Sequence, residues 1–163
     1  VKEAHDQIKL YDWVPLSSVV RELKLQFLKP DEIMQKYMGE VLAKSKTSPQ
    51  YHQYERYYAE RIQRLLTGPD EVTVPLQAVR VGEVGIAAIP FEVFAETGLE
   101  IKDRTPFTHA FTIELANDYH GYLPTPNQHE LGGYETWMGT SKVQLDASEL
   151  IKHTILDMMN NLK

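Results

Sequence analysis

Residues Val19 to Phe27, VVRELKLQF, alternate apolar and polar side chains, the two-residue period of a strand with one face buried. The period then changes. Lys29-Pro30-Asp31-Glu32 puts a proline and two acids where the first turn of a helix favours them. Ile33, Tyr37, Val41 and Leu42 follow at the spacing of one helical face, and the pattern fades over 45–49. A second helix is predicted from about Tyr51 to Leu66, stopped by Thr67-Gly68-Pro69. Its Tyr54, Tyr57, Tyr58, Ile62, Leu65 and Leu66 fall at helical spacing, and the tyrosine stripe reads first as core packing.

From Glu71 the period returns to two. Val72 to Arg80 and Val84 to Ile89 are β-rich runs joined at Val81-Gly82-Glu83, which predicts a hairpin. The second run is almost wholly apolar, as for a strand covered on both faces, and Pro90 ends it. A helix is expected from about Phe91 to Lys102, with Phe91, Phe94, Gly98 and Ile101 inward, then a strand over His109 to Leu115. A long loop, Ala116 to Thr140, precedes a last helix opened by Asp146 and Glu149 as a capping box ahead of Leu150, Ile151, Ile155, Leu156 and Met159. Strands alternating with helices point to an α/β or α+β layered domain, a mixed sheet with flanking helices.

At 163 residues the chain fits one domain. Its net charge of −6 argues against a nucleic-acid partner. The absence of cysteine excludes disulfides, a thiolate nucleophile and Cys-based metal sites. No apolar run approaches the ~20 residues of a transmembrane segment. The first 68 residues carry a small basic excess and the remainder holds the acidity. That asymmetry reads first as a solvated acidic face, with carboxylates serving a cation or an acid–base site as the alternative.

Chemistry concentrates in two places. Glu92 follows the buried strand, where ligands of open α/β sheets bind. It reads either as a site carboxylate or as a first-turn acid complementing the helix dipole. The other place, residues 115–137, gathers Asn117, Asp118, Tyr119, His120, Tyr122, His129, Glu130, Tyr134 and Glu135 around Gly132-Gly133. Long loops with such polar and aromatic density are disproportionately functional. No HExxH, GxSxG, P-loop or GxGxxG pattern is present, and His120 and His129 lack a standard metal spacing.

The segment NDYHGYLPTPNQHELGGYET, residues 117–136, together with the upstream IPFEVF that contains Glu92, resembles the neutral (non-lysosomal) ceramidases and their bacterial relatives. Those proteins carry an apolar strand ending in P-x-E, then an N-x-Y-x-x-Y loop, then Y-E. The similarity is most specific over residues 72–137. It implies part of a zinc-dependent amidohydrolase that cleaves the amide of an N-acyl sphingoid lipid or a related amide by metal-activated water. Carried over by position, Glu92 and Tyr122 would be zinc ligands and Tyr134 the catalytic tyrosine beside the scissile amide. Tyr119 would be a packing residue with its hydroxyl satisfied nearby.

Two further zinc ligands, both histidines, belong in the family to a region ahead of these motifs. The resemblance therefore implies that residues 1–163 are a single domain forming the C-terminal part of the catalytic domain. Its partners would be the N-terminal half and a lipid amide substrate. Alone, the chain is expected neither to hydrolyse amides nor to hold zinc tightly. The family's members also imply a secreted or periplasmic bacterial protein. Where they often carry Gly-Arg-Arg after P-x-E, this chain has Glu96-Thr97-Gly98-Leu99, which points away from ceramide itself. The alternative is a non-catalytic binding or accessory module that keeps the fold.

Overall fold

The computed structural model describes residues 2–163. After a short helix α1 (Lys2–Asp6), strand β1 (Leu16–Gln26) leads into helices α2 (Glu32–Ala43) and α3 (Glu55–Thr67). Strands β2 (Glu71–Val81) and β3 (Val84–Ala88) follow, then the two-residue strand β4 (Glu92–Val93), helix α4 (Ala95–Arg104) and strand β5 (His109–Ile113). The chain continues through β6 (Tyr122–Leu123), helix α5 (Pro126–Leu131), a 3₁₀ turn at Tyr134–Thr136 and the final helix α6 (Ala147–Leu162).

The main sheet has the order β1-β2-β3-β5. Strands β1 and β2 pair antiparallel along their whole length, from Leu16 opposite Val81 to Gln26 opposite Glu71. The expected hairpin joins β2 to β3 with Gly82 at φ +60°, the left-handed turn conformation glycine tolerates. The pairing of β3 with β5 is parallel, so the sheet is mixed and α4 lies in the crossover. One face carries Leu25, Val74, Leu76, Ala78 and Ala87, all fully buried in a core completed by Ile151, Ile155, Met158 and Met159 of α6 and Ile101 of α4. Val20, Phe111 and Ile113 project from the opposite face and are about half exposed. Strand β3 is covered fully on one side and partly on the other: Gly85 and Ala87 are buried, whereas on the opposite face Val84 and Ile86 keep partial exposure and Ala88 is buried.

Helices α2 and α3 form a hairpin inserted between β1 and β2, with a small core of Met38, Val41, Ala59 and Ile62. Asp31 caps α2 by accepting the Met34 amide at 2.8 Å. The ammonium of Lys29 hydrogen-bonds the carbonyls of Leu65, Gly68 and Pro69 at the end of α3, where a cation suits the helix dipole.

Several sequence expectations give way here. The buried stripe of α2 runs through Met34, Met38, Val41 and Leu42, one residue round from the anticipated face, and Ile33 and Tyr37 are exposed. Helix α3 begins at Glu55, because the residues before it are held in a turn by the His52 ring accepting the Tyr54 amide and the Glu55 carboxylate accepting that of Tyr51. Tyr54 and Tyr57 of the tyrosine stripe are exposed, and only Tyr58 is tucked in, against Trp137. No capping box forms on α6: the Asp146 side chain accepts from Gln144, and Glu149 pairs with Lys152. Leu150 lies towards solvent.

Candidate functional site

The helix anticipated at Phe91 does not start there. Phe91 is fully buried, and Glu92-Val93 instead form β4, paired in parallel with Tyr122-Leu123 of β6. The Glu92 amide donates to the Gly121 carbonyl at 2.9 Å, and the Val93 amide donates to the Glu114 carboxylate at 3.0 Å. Glu92 therefore stands ahead of α4 in extended backbone, so its reading as a first-turn dipole partner does not hold.

The loop after β5 is stitched to this strand end. The amides of Leu115, Ala116 and His120 donate to the carbonyls of Phe91, Ile89 and Pro90 respectively, at 3.1, 3.1 and 3.0 Å. Leu115 and Asn117 hold φ of 53° and 68°, a left-handed conformation that costs a leucine energy and clusters at functional sites. The Asp118 carboxylate accepts the Tyr119 amide at 2.7 Å and meets His120 at 3.0 Å, and those two contacts hold its carboxyl below the ordinary range. Gly121, at φ +91°, allows a close pass: a Cβ there would lie 2.5 Å from the Thr140 carbonyl oxygen.

On this frame four side chains meet. The Tyr119 hydroxyl donates to Glu92 Oε1 at 3.1 Å. The hydroxyls of Tyr122 and Tyr134 are 2.7 Å apart, with the rings edge to face at 5.5 Å. The hydrogen bond with Tyr134, and after it the Glu92 carboxylate, drive the Tyr122 hydroxyl well above its ordinary value. Burial and the bond to Glu92 raise that of Tyr119. Tyr134 reaches the site from the 3₁₀ turn, after Gly132 and Gly133 reverse the chain at φ +79° and +115°.

A carboxylate and a phenol oxygen side by side are chemically suited to complete a zinc coordination set. His120 is tied to Asp118, and His129 sits on α5, half-buried and pushed below its ordinary value by burial. Among the described residues no three His, Cys, Asp or Glu side chains gather as a metal cluster. The chain thus brings Glu92, Tyr122 and Tyr134 together and offers two oxygen donors. Sequence reasoning missed Tyr119 as the partner of Glu92, and missed α5, although Thr125 before Pro126 is an N-cap followed by a first-turn proline.

Between α2, α3 and the Trp137-Met138 segment lies an apolar cavity of about 380 Å³ lined by Met34, Met38, Tyr58, Ile62, Trp137 and Met138. At its edge the Glu55 carboxylate accepts the Tyr37 hydroxyl at 2.6 Å, which holds Glu55 below and Tyr37 above their ordinary values.

No protein-family model matches the chain. No curated protein matches it either. Solved structures do. The chain superimposes on the crystal structure of neutral ceramidase from Pseudomonas aeruginosa with a TM-score of 0.60 and 16% identity, over 91% of this chain and 28% of that one. A ceramidase structure described as complexed with C2 matches with a TM-score of 0.51 and 21% identity, over 55% of this chain and 15% of that one. The chain has a ceramidase-like fold and spans less than a third of the length of either structure. Among the described residues no helix is long and apolar enough to cross a membrane.

Proposed function

We propose that this chain is the C-terminal part of a ceramidase-like catalytic domain and supplies half of a zinc-dependent amide-hydrolysing site. The observation that carries the reading is the convergence of Glu92, Tyr122 and Tyr134, fixed by the β4–β6 register and by the 2.7 Å contact of the two hydroxyls. The fold comparison supports it, as does the apolar cavity beside Trp137, which suits an acyl or alkyl chain. The uncovered sheet face bearing Val20, Phe111 and Ile113 supports a further layer from the histidine-bearing half.

Glu92 and Tyr122 would hold the zinc together with two histidines of that half, and the bound ion would supply the activation of water near neutral pH. The chain's own groups do the rest. Tyr119 fixes the Glu92 carboxylate by donating to Oε1 and leaves Oε2 for another partner. Tyr122, kept protonated without the metal by Tyr134 and the Glu92 carboxylate, shares a hydrogen bond with the Tyr134 hydroxyl. If Tyr122 ligated as the phenolate its proton would be released to solvent, and metal affinity would rise with pH. Tyr134, half-exposed on its turn, swings its hydroxyl to the amide oxygen and donates to the charge that develops there. The surroundings of the related enzymes suggest an exported protein and an N-acyl sphingoid lipid or related amide as substrate.

The test is to express the chain joined to the histidine-bearing half and assay N-acyl lipids and soluble amides with and without zinc. Hydrolysis that is zinc-dependent and lost in Glu92→Gln supports the reading. A fully folded, zinc-loaded assembly that cleaves neither class contradicts it and favours an accessory module.

A further inference from the structure

Arg61 and Arg64 of α3 and Lys142, on the segment leading to α6, converge with Leu65 and Gly139 on a second cavity of about 310 Å³. The three cations of this cavity form no ion pair among the described residues. Like charges gathered without a counter-charge repel one another, and an anion held among them relieves that repulsion. Lys142 reports that tension: burial first, then Arg61 and Arg64, push its ammonium below the ordinary lysine value.

The cavity is held in shape. Arg61 is braced over the rings of Tyr57 and Tyr58, 5.3 and 5.8 Å from their centroids. Gly139, at φ +90°, lets the backbone pass against α3, since a Cβ there would meet Arg61 Cβ at 3.1 Å. Lys142 Nζ stands 5.5 Å from the centre of the Tyr119 ring, and the hydroxyl of that ring is on Glu92. One tyrosine therefore separates the cationic cavity from the candidate site.

We propose that Arg61, Arg64 and Lys142 bind a phosphate-class anionic group carried by the substrate, an N-acyl amine bearing a phosphomonoester. The proposal rests on the reading of Glu92, Tyr122 and Tyr134 as the place where the amide is cleaved. Two guanidinium forks and an ammonium match the oxygen count and double charge of a phosphomonoester better than a single carboxylate.

Calorimetric titration of the full chain with inorganic phosphate tests the cavity without requiring any activity. Saturable one-to-one binding is expected, weakened by salt and weakened about tenfold or more by Arg61→Gln or Lys142→Gln, whose melting curves verify folding. No saturable binding, or binding indifferent to both substitutions, overturns the proposal. The second titration compares short-chain O-phosphoryl-N-acylethanolamine with its dephosphorylated form and with phosphate. Tighter binding of the phosphorylated amide than of both supports a substrate subsite, and binding no tighter than phosphate overturns it. Should the titrations succeed while the assembled protein cleaves no amide, the hydrolase reading fails and the anion-binding cavity stands.

Discussion

Glu92 and Tyr122 are direct partners in the parallel pairing of β4 with β6, so two side chains far apart in sequence leave the same face of a two-residue ladder. The backbone sets their spacing, and the Gly121 carbonyl that accepts the Glu92 amide locks the register. In the assembly with the histidine-bearing half, Tyr122→Phe and Glu92→Gln should each weaken zinc retention, read by metal analysis after dialysis. Tyr134→Phe should retain zinc and lose rate by roughly 10²–10³, the usual size for one oxyanion donor. The chain alone should show no zinc site tighter than micromolar by calorimetry, having two donors of the four a zinc site takes.

Tyr119 is no longer a bystander. Its hydroxyl orients Glu92, and partners that orient a metal ligand typically matter 10–100-fold for affinity. Because the side chain is half exposed, water replaces much of the lost bond, so Tyr119→Phe should cost about tenfold in zinc affinity, the low end of that range. Full zinc retention in this variant would return Tyr119 to simple packing.

Gly121→Ala should be more damaging than its size suggests. The substitution forces a Cβ against the Thr140 carbonyl oxygen at a left-handed φ, and backbone cannot move aside as a side chain can. A loss of roughly 1–3 kcal/mol in urea unfolding is expected. Faster hydrogen exchange of the Glu92 amide, which donates to this residue's carbonyl, should accompany it.

Five carboxyls sit below their ordinary values, each chiefly because the fold supplies a donor: Tyr37 for Glu55, Gln26 for Glu71, Lys163 for Glu83, Lys152 for Glu100 and the Tyr119 amide for Asp118. A depressed native carboxyl contributes stability that is complete above its unfolded value and is lost as pH falls through its native one. His129 adds to this, because its depressed imidazole resists the proton that the unfolded chain takes up below about pH 6.5. The melting temperature should therefore fall slightly between about pH 7 and 5 and drop steeply below about pH 4.5. Glu55→Gln should flatten part of that slope; an unchanged profile would mean the Tyr37 contact contributes nothing.

Lys142→Met should stabilise the chain while abolishing phosphate binding. The ammonium has no carboxylate partner, is held low by burial and faces two guanidiniums, whereas its stem already packs in the fold. A rise in melting temperature of about 2–4 °C corresponds to about 1 kcal/mol in a domain of this size. A fall would show that the cation serves the fold and not a ligand.

The legible parts of this structure are those with a period or a stop signal. The β2–β3 hairpin followed from Val81-Gly82-Glu83, the end of α3 from Gly68-Pro69 and the opening of α2 from Lys29-Pro30-Asp31-Glu32, where Asp31 proves to be the cap ahead of the first turn. The β4–β6 ladder was not legible, because two residues have no period, and a strand-ending proline before acidic and apolar residues reads as a helix start. Glu92, Tyr122 and Tyr134 were singled out through motif likeness; the backbone hydrogen bonds and the hydroxyl contact that draw them together are announced by no spacing. Arg61, Arg64 and Lys142 escaped notice because they meet only after the helical insertion has docked on the strand-like segment near Val143.

That insertion has a kinetic side. Helices α2 and α3 carry their own small core and enter and leave through β1 and β2, which remain zipped along eleven paired positions. The insertion can therefore open as a separate cooperative unit while the sheet stays closed. Native-state hydrogen exchange should show the α3 amides releasing together at lower free energy than those of β2. Each such opening would carry Arg61 and Arg64 away from Lys142 while Glu92 and Tyr122 stay paired, so the anion cavity has an on–off clock of its own.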